Sequence, residues 1–326
     1  MNFKLGFGPM SERSIDVLAR YANQKQRPLM FIASRNQVDS DSGYVMTTAQ
    51  LAQQLAPHRS EYIMLCRDHC GPYFLDHERD LTLSEAVEAT KKTIAGDIEN
   101  KFDLIHIDTS RCGDRGYAVA EELFKFCLDL NPNIKFEFGT EENVGVAAGI
   151  EKFKQDVAFA SQIPNMEFVV AQTGSLTKED RQVGTFEFDA VKQLVEYANT
   201  AGVKLKEHNA DYLTAEQIAL RKAAGVHACN IAPQLGVIQT KTVLNLAHLN
   251  EIDANEYKIS IIASKKWEKW MLDGDAQMML NVAGHYLFNT DAYKALEQKL
   301  MDVCRLDVII QKELTACLDQ YYSNLY

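Results

Sequence analysis

The chain has 326 residues, of which 46% are hydrophobic and 24% charged, and its 34 Lys and Arg against 45 Asp and Glu leave a formal net charge of −11. A chain of this length buries enough apolar surface to fold without a disulfide or metal, and its acidic balance argues against a nucleic-acid-binding protein, which needs a basic face. The absence of an apolar run near 18 residues excludes a transmembrane helix. Because the N-terminus also lacks the apolar core of a signal peptide, we expect a cytoplasmic protein with reduced cysteines.

Short apolar runs rich in β-branched or aromatic residues recur along most of the chain, and each is followed by a helical pattern. Their near-continuous apolarity is typical of strands that are buried on both faces of a parallel sheet. Their spacing is that of a βα unit. Eight such runs are predicted as strands, at residues 4–8, 29–35, 62–69, 104–110, 135–141, 168–174, 204–210 and 228–233.

The segments between these runs predict helices. Thr82 or Ser84 is the expected N-cap of the helix before the fourth strand, and Gly202 and Gly225 are expected C-caps before the seventh and eighth strands. Eight βα units in series predict an α/β protein with a (β/α)8 TIM barrel. A doubly wound open sheet is the alternative, and it is less favoured because no GxGxxG turn follows the first strand.

The strand signal ends at about residue 243, and from there helix follows helix. We predict a (β/α)8 barrel over residues 1–250 and a C-terminal helical extension over residues 251–326, packed on the barrel. The extension is too long to be the eighth barrel helix alone. It is therefore expected to cap the barrel or to form an oligomer contact.

Polar side chains gather at the carboxyl ends of the predicted strands, where (β/α)8 enzymes place their active sites. Buried imidazoles and carboxylates need either mutual pairing or a divalent cation. Two or three His with a carboxylate form the ligand set of catalytic zinc or a related metal. The candidates are Arg35, Asn36, Gln37, Asp68, His69, His106, Asp108, Glu137, Glu141, Gln172, His208, Asn209 and Asn230.

Several motifs in this order resemble a known family. The chain is similar to the class II, metal-dependent aldolase superfamily and most of all to the companion-subunit family of D-tagatose-1,6-bisphosphate aldolase. The resemblance covers about residues 30–290. It is carried by ASRNQV (33–38), DHCGP (68–72), IHIDTS (105–110), GTE (139–141), FVVAQTG (168–174), EHNADY (207–212) and KWEKW (266–270).

The resemblance implies a divalent metal, Zn²⁺ above others, held by His69 and His208, and we expect His106 or Glu137 to supply a third ligand. It implies that Asp68 is the proton-transfer residue. Glu141 is a second candidate for proton transfer, and Asn230 is expected to orient substrate hydroxyls. The side chains expected to contact the substrate are Asn36, Gln37, Arg35, Asp108, Gln172 and Asn209.

The predicted activity is reversible aldol cleavage of a ketose or ketose phosphate, similar to that of tagatose-bisphosphate aldolase, through a metal-stabilised enediolate. Class II aldolases carry a His after the sixth strand that is missing from AQTGSLTKED (171–180), and Asn209-Ala210-Asp211 replaces their Gly- and Ser-rich phosphate loop. Two alternatives stay open: a non-catalytic subunit that stabilises or activates a separate class II aldolase, and a metal-dependent sugar epimerase. The expected partners are a sugar or sugar-phosphate substrate and either further copies of the chain or a class II aldolase, with no nucleic acid and no membrane.

Overall fold

A computed structural model describes residues 4–41, 43–140 and 145–325. At its centre eight parallel strands form a closed barrel, which confirms the predicted (β/α)8 architecture. The strands are β1 (Leu5–Phe7), β2 (Leu29–Ser34), β3 (Ile63–Cys70), β4 (Leu104–Asp108), β5 (Lys135–Gly139), β6 (Met166–Ala171), β7 (Lys204–Glu207) and β8 (Ala228–Ile231). Each strand pairs with its neighbours in the sequence, and β1 pairs with β8 to close the ring.

One α-helix returns the chain after each strand. These helices are α1 (Glu12–Lys25), α2 (Thr48–Leu55), α3 (Leu83–Glu99), α4 (Gly116–Leu130), α5 (Ile150–Ala160), α6 (Phe188–Thr200), α7 (Ala215–Ala224) and α8 (Pro233–Leu249). Two pairs of very short strands add structure to the loops after β2 and β6. They join Val38–Asp39 to Met46–Thr47 and Thr177–Lys178 to Arg181–Gln182.

Local sequence signals set several helix ends. The Thr82 hydroxyl accepts a hydrogen bond from the amide of Glu85, whose carboxylate accepts one from the amide of Thr82. This capping box selects Thr82, not Ser84, as the N-cap of α3. Gly225 ends α7 with φ 84°, and Gly202 follows α6 with φ 73°. Glycine adopts this left-handed conformation without steric cost, as the predicted C-caps require.

The barrel interior has an apolar floor and a polar upper layer. A separate buried cluster fills the floor, formed by Met30, Ile32, Met64, Cys66, Leu104, Phe168 and Ala228. Because side chains alternate along a strand, the inward positions closer to the carboxyl ends include His106 and His208. The candidate site therefore lies on a packed base at the mouth of the barrel.

Four helices follow the barrel: α9 (Asn255–Ser264), α10 (Ala276–Ala283), α11 (Asp291–Val303) and α12 (Leu306–Leu325). Helix α12 packs against α1, α7 and α8. Its Tyr321 hydroxyl donates a 2.7 Å hydrogen bond to the carbonyl of Ala210 and lies 2.8 Å from Oε1 of Gln234. The division at residue 250 stays a prediction. No helix in the described residues has the length and apolar character needed to span a membrane.

Candidate active site

An irregularity in β3 brings two adjacent side chains to the mouth of the barrel. Neighbouring residues of a regular strand point to opposite faces. The register between β3 and β4 shifts between Arg67 and Cys70, and His69 adopts φ 47°. A left-handed conformation at a non-glycine residue is strained and is often found at functional sites. It allows both Asp68 and His69 to face the mouth.

Three imidazoles surround the Asp68 carboxylate. The ring centroids of His69, His106 and His208 are 5.3, 5.1 and 5.1 Å apart. With Asp68 they form a group whose potential ligand atoms all lie within 4.8 Å of one another. Nδ1 of His106 lies 3.3 Å from Oδ1 of Asp68, and Nε2 of His69 lies 3.7 Å from Oδ2. The arrangement therefore brings together four of the predicted site residues, which come from β3, β4 and the end of β7.

Carboxylates behind the cluster hold two of the imidazoles. Nδ1 of His69 lies 2.6 Å from Oδ2 of Asp108, and Nε2 of His208 lies 2.7 Å from Oε1 of Glu137. Glu137 also binds Nζ of Lys206 at 2.5 Å, and both side chains are almost fully buried. Asp108 and Glu137 thus lie outside the converging group and orient its rings, as carboxylates do behind metal-binding His.

The charges in the cluster support one another. Burial by itself would raise the pKa of Asp68, but His69, His208 and the hydrogen bond with His106 hold it well below its usual range. Burial opposes protonation of His69, yet Asp68 and Asp108 raise its pKa to about 9. The pKa of Glu137 falls to about 2 because Lys206 and His106 outweigh its burial. Burial lowers the pKa of His208. The carboxylates are therefore ionised at neutral pH.

The donor set fits a divalent metal ion. Three imidazoles that share one tetrahedral ion have centroids about 5 Å apart, given metal–nitrogen distances of about 2 Å. Nε2 of His106 and Oδ1 of Asn230 are buried and have no hydrogen-bond partner among the described residues. A bound cation would also replace the proton that Asp68 and Asp108 favour on His69, since ligands bind metal in their deprotonated form. His69, His106, His208 and Asp68 are the residues that could hold it.

A cavity of about 1300 Å³ opens above the cluster. Asn230 lies at the base of this cavity, and its Nδ2 lies 3.4 Å from Oδ1 of Asp68. The Asn230 side chain occupies the space that a Cβ at position 6 would fill, where the chain has Gly6. Further predicted substrate contacts line the same cavity, namely Asn36, Gln37, Gln172 and Asn209. Asn209 has φ 57°, so the strand end after β7 is irregular as well.

Arg35, a further predicted substrate contact, is tied into the loops around the cavity. The Arg35 side chain is 2% exposed, and its guanidinium binds Glu78 at 2.6 Å, Thr93 at 3.1 Å and the carbonyl of Gly71 at 3.0 Å. These partners tie the loop after β2 to the loop after β3, and Arg35 also lines the cavity. Glu141 lies outside the described residues.

The N-terminus of α8 is occupied by a side chain of the protein itself. Oδ1 of Asp211 accepts hydrogen bonds from the amides of Ala232 at 3.0 Å and Gln234 at 2.9 Å. Asp211 is 1% exposed, and burial raises its pKa to about 7. In (β/α)8 enzymes the loops after strands 7 and 8 often bind phosphate with such amides. Here the Asp211 carboxylate already accepts the hydrogen bonds of these two amides.

Sequence reasoning missed Lys206. A lysine within an apolar strand does not by itself indicate a role. The signal was its spacing, because Lys206 is two residues before His208 and alternation therefore places both on the inner side of β7. Its partner Glu137 comes from β5 and could be assigned only after the barrel closed.

No family model matches the chain. Among solved structures, it is similar to a probable tagatose 6 phosphate kinase from Sinorhizobium meliloti 1021, with 16% identity, a TM-score of 0.85 and coverage of 98% of this chain and 99% of that one. The YdjI aldolase from Escherichia coli K12 has 12% identity and a TM-score of 0.53, over 92% and 91% of the two chains. A fructose-bisphosphate aldolase from Campylobacter jejuni has 12% identity and a TM-score of 0.54, over 96% and 90%. The predicted resemblance to aldolases is thus confirmed at the level of the fold.

Proposed function

We propose that this chain is a metal-dependent aldolase-type carbon–carbon lyase that acts on a ketose or ketose phosphate. The observation that carries the proposal is the triangle of His69, His106 and His208 around Asp68 at the mouth of the barrel. Aldol chemistry needs a group that polarises a carbonyl and a group that moves a proton. The cluster offers residues for both tasks in one cavity.

The three imidazoles are proposed to hold the ion, and Asp108 and Glu137 to keep His69 and His208 in position. When bound, a divalent ion supplies Lewis-acid polarisation of a substrate carbonyl. The His69 side chain is 38% exposed, more than the side chains of Asp68, His106 and His208, so the cluster is open to the cavity on this side. Zn²⁺ suits a set rich in imidazole.

Asp68 is proposed to move the proton. Its ionised carboxylate can accept the proton of the hydroxyl β to the substrate carbonyl. The bond between the α and β carbons then breaks, its electron pair passes to the ketone half, and the β carbon leaves as an aldehyde. In the reverse direction Asp68 returns the proton to the new hydroxyl. Asn230, whose Nδ2 lies 3.4 Å from Oδ1 of Asp68, is proposed to orient that hydroxyl.

The metal site is tested by elemental analysis of untagged protein. We expect about one divalent ion per chain, as is usual for a single site built from imidazoles, and loss of the ion in a His69→Ala/His208→Ala variant. A His77→Ala/His248→Ala variant is the matched control, because both of these imidazoles lie outside the cluster. Equal metal content in all three proteins would contradict the proposed ligands.

The reaction is tested by incubating the metal-loaded protein with ketoses and ketose phosphates and following both products by NMR. Release of an aldehyde supports the lyase. Formation of an epimer without cleavage would instead favour the epimerase. Absence of turnover, together with a higher rate of a class II aldolase added to the mixture, would favour the non-catalytic subunit.

A further inference from the structure

Residues 265–274, between α9 and α10, form a segment that we call the mouth strap. On one side the Glu179 carboxylate accepts hydrogen bonds from the amides of Leu272, Asp273 and Gly274 at 3.1, 3.2 and 2.8 Å. On the other side Nζ of Lys266 lies 3.8 Å from Oδ2 of Asp76. Glu179 belongs to the loop after β6 and Asp76 to the loop after β3. The mouth strap therefore spans from one side of the barrel opening to the other.

The mouth strap adds positive charge to the cavity of an acidic protein. Besides the buried Arg35, six cationic side chains line this cavity, namely Arg79, Arg111, Lys178, Lys265, Lys266 and Lys269, and its five carboxylates are those of Asp68, Asp76, Asp108, Asp211 and Glu268. Three of the six belong to the mouth strap. With a net charge of −11 over the chain, this concentration of cations is a local feature and not a consequence of composition.

Contacts with Trp270, Tyr286 and Lys178 hold Lys269 of the mouth strap over the cavity. Nζ of Lys269 lies 4.8 Å from the ring centroid of Trp270 and 5.3 Å from that of Tyr286. The indole nitrogen of Trp270 donates a 3.1 Å hydrogen bond to the Tyr286 hydroxyl. Nζ of Lys178 donates a 2.6 Å hydrogen bond to the carbonyl of Lys269. The ammonium group therefore sits on an ordered aromatic support.

The usual phosphate position is closed in this chain, because Asp211 occupies the amides at the start of α8. An anionic substrate in this cavity must therefore use other donors. The cavity also exceeds the roughly 300–1000 Å³ of common ligand pockets, which leaves room between the cluster and the mouth strap.

We infer that the mouth strap forms a phosphate subsite, in which Lys266 and Lys269 bind the phosphate of a sugar-phosphate substrate whose carbonyl end faces the cluster. This inference rests on the proposed function for the identity of the reacting end. The binding of phosphate to the mouth strap does not require the metal. The two proposals can therefore fail separately.

The two tryptophans of the chain, Trp267 and Trp270, both lie in the mouth strap, so intrinsic fluorescence reports directly on it. Chelator-treated protein is titrated with inorganic phosphate, and the affinity is checked by calorimetry. A Lys266→Gln/Lys269→Gln variant should bind phosphate at least about tenfold more weakly, because each lysine contributes a charge-assisted hydrogen bond. A Lys294→Gln/Lys299→Gln variant on α11 makes the same change in net charge away from the cavity and should bind like the wild type.

A comparison of fructose 6-phosphate with fructose tests whether the subsite binds the phosphate of a sugar phosphate as well as free inorganic phosphate. We expect the former to change the fluorescence and the latter to have no effect. No phosphate binding by the wild type, or equal weakening in both double variants, would overturn the subsite. Phosphate binding without fructose 6-phosphate binding would overturn its assignment to the substrate. Metal content, measured on the same preparations, shows independently whether the proposed function stands.

Discussion

Removal of the Lys206 ammonium is expected to destabilise the protein strongly. Lys206 and Glu137 are 0% and 1% exposed and bind each other at 2.5 Å. Deleting one partner of a buried ion pair typically costs about 3–5 kcal/mol, because the other charge stays buried without compensation. Glu137 keeps its 2.7 Å hydrogen bond with His208. We therefore expect a cost for Lys206→Met near the lower limit, about 3 kcal/mol.

The cost is measured as a shift in melting temperature. An unfolding entropy of about 2.1 cal/mol/K per residue amounts to about 0.7 kcal/mol/K for the 326 residues of this chain. A loss of about 3 kcal/mol then lowers the Tm by about 4 °C. The scans are run with a chelator, so that bound metal does not alter the stability of the folded state. Lys299→Met, at an exposed site, is the control and should stay within about 0.5 kcal/mol of the wild type.

A double variant separates charge from packing. Lys206→Met/Glu137→Gln removes both charges and should recover most of the lost stability, since replacing a whole buried pair is often nearly neutral. The changes in stability caused by Lys206→Met and by Glu137→Gln, each measured alone, would then be strongly non-additive. A wild-type Tm for Lys206→Met, or additive losses in the double variant, would refute the view that this ion pair supports the cluster.

Three further predictions concern the site. Asp68→Asn should lower kcat by about 10²–10⁴-fold, as expected for loss of a general acid–base, while metal content stays unchanged because the three imidazoles, and not Asp68, are proposed to hold the ion. Asp108→Asn should weaken metal binding by about 10–100-fold in a chelator competition, because the partner of His69 changes. Burial and the nearby charge of Lys269 lower the pKa of His285 to about 3. Because this folded-state pKa lies below the unfolded value of about 6.5, the wild type should lose about 2 kcal/mol relative to His285→Phe between about pH 7 and pH 5.

Each of these three predictions has an outcome that would contradict it. Full activity of Asp68→Asn would remove that carboxylate from proton transfer. An unchanged chelator midpoint for Asp108→Asn would mean that its 2.6 Å contact with His69 does not support the metal site. Parallel stability curves for the wild type and His285→Phe over the same pH range would show that His285 does not titrate between the folded and unfolded states in the expected way.

The sequence alone determined the barrel and some of its helix ends. Eight apolar runs are enough to predict the barrel, because strands that are buried on both faces are apolar along nearly their whole length. The spacing between the runs is that of βα units. Caps such as Thr82 and Gly225 depend on hydrogen bonds and φ values within a few residues of themselves. Such local signals can be recognised without knowledge of the rest of the chain. The strand pattern likewise placed His106 and His208 at the carboxyl ends of their strands.

Only the tertiary structure decided how these residues meet. Strict alternation would have sent Asp68 and His69 to opposite sides, and the register shift in β3 that unites them depends on pairing with β4. Contacts between segments far apart in sequence turned Glu137 towards Lys206 and His208 and bound Arg35 to Glu78. The mouth strap reaches the site through its contacts with Glu179 and Asp76, which belong to loops after two different barrel strands. Distances of this kind follow from closure of the barrel and packing of the tail, which no local pattern encodes.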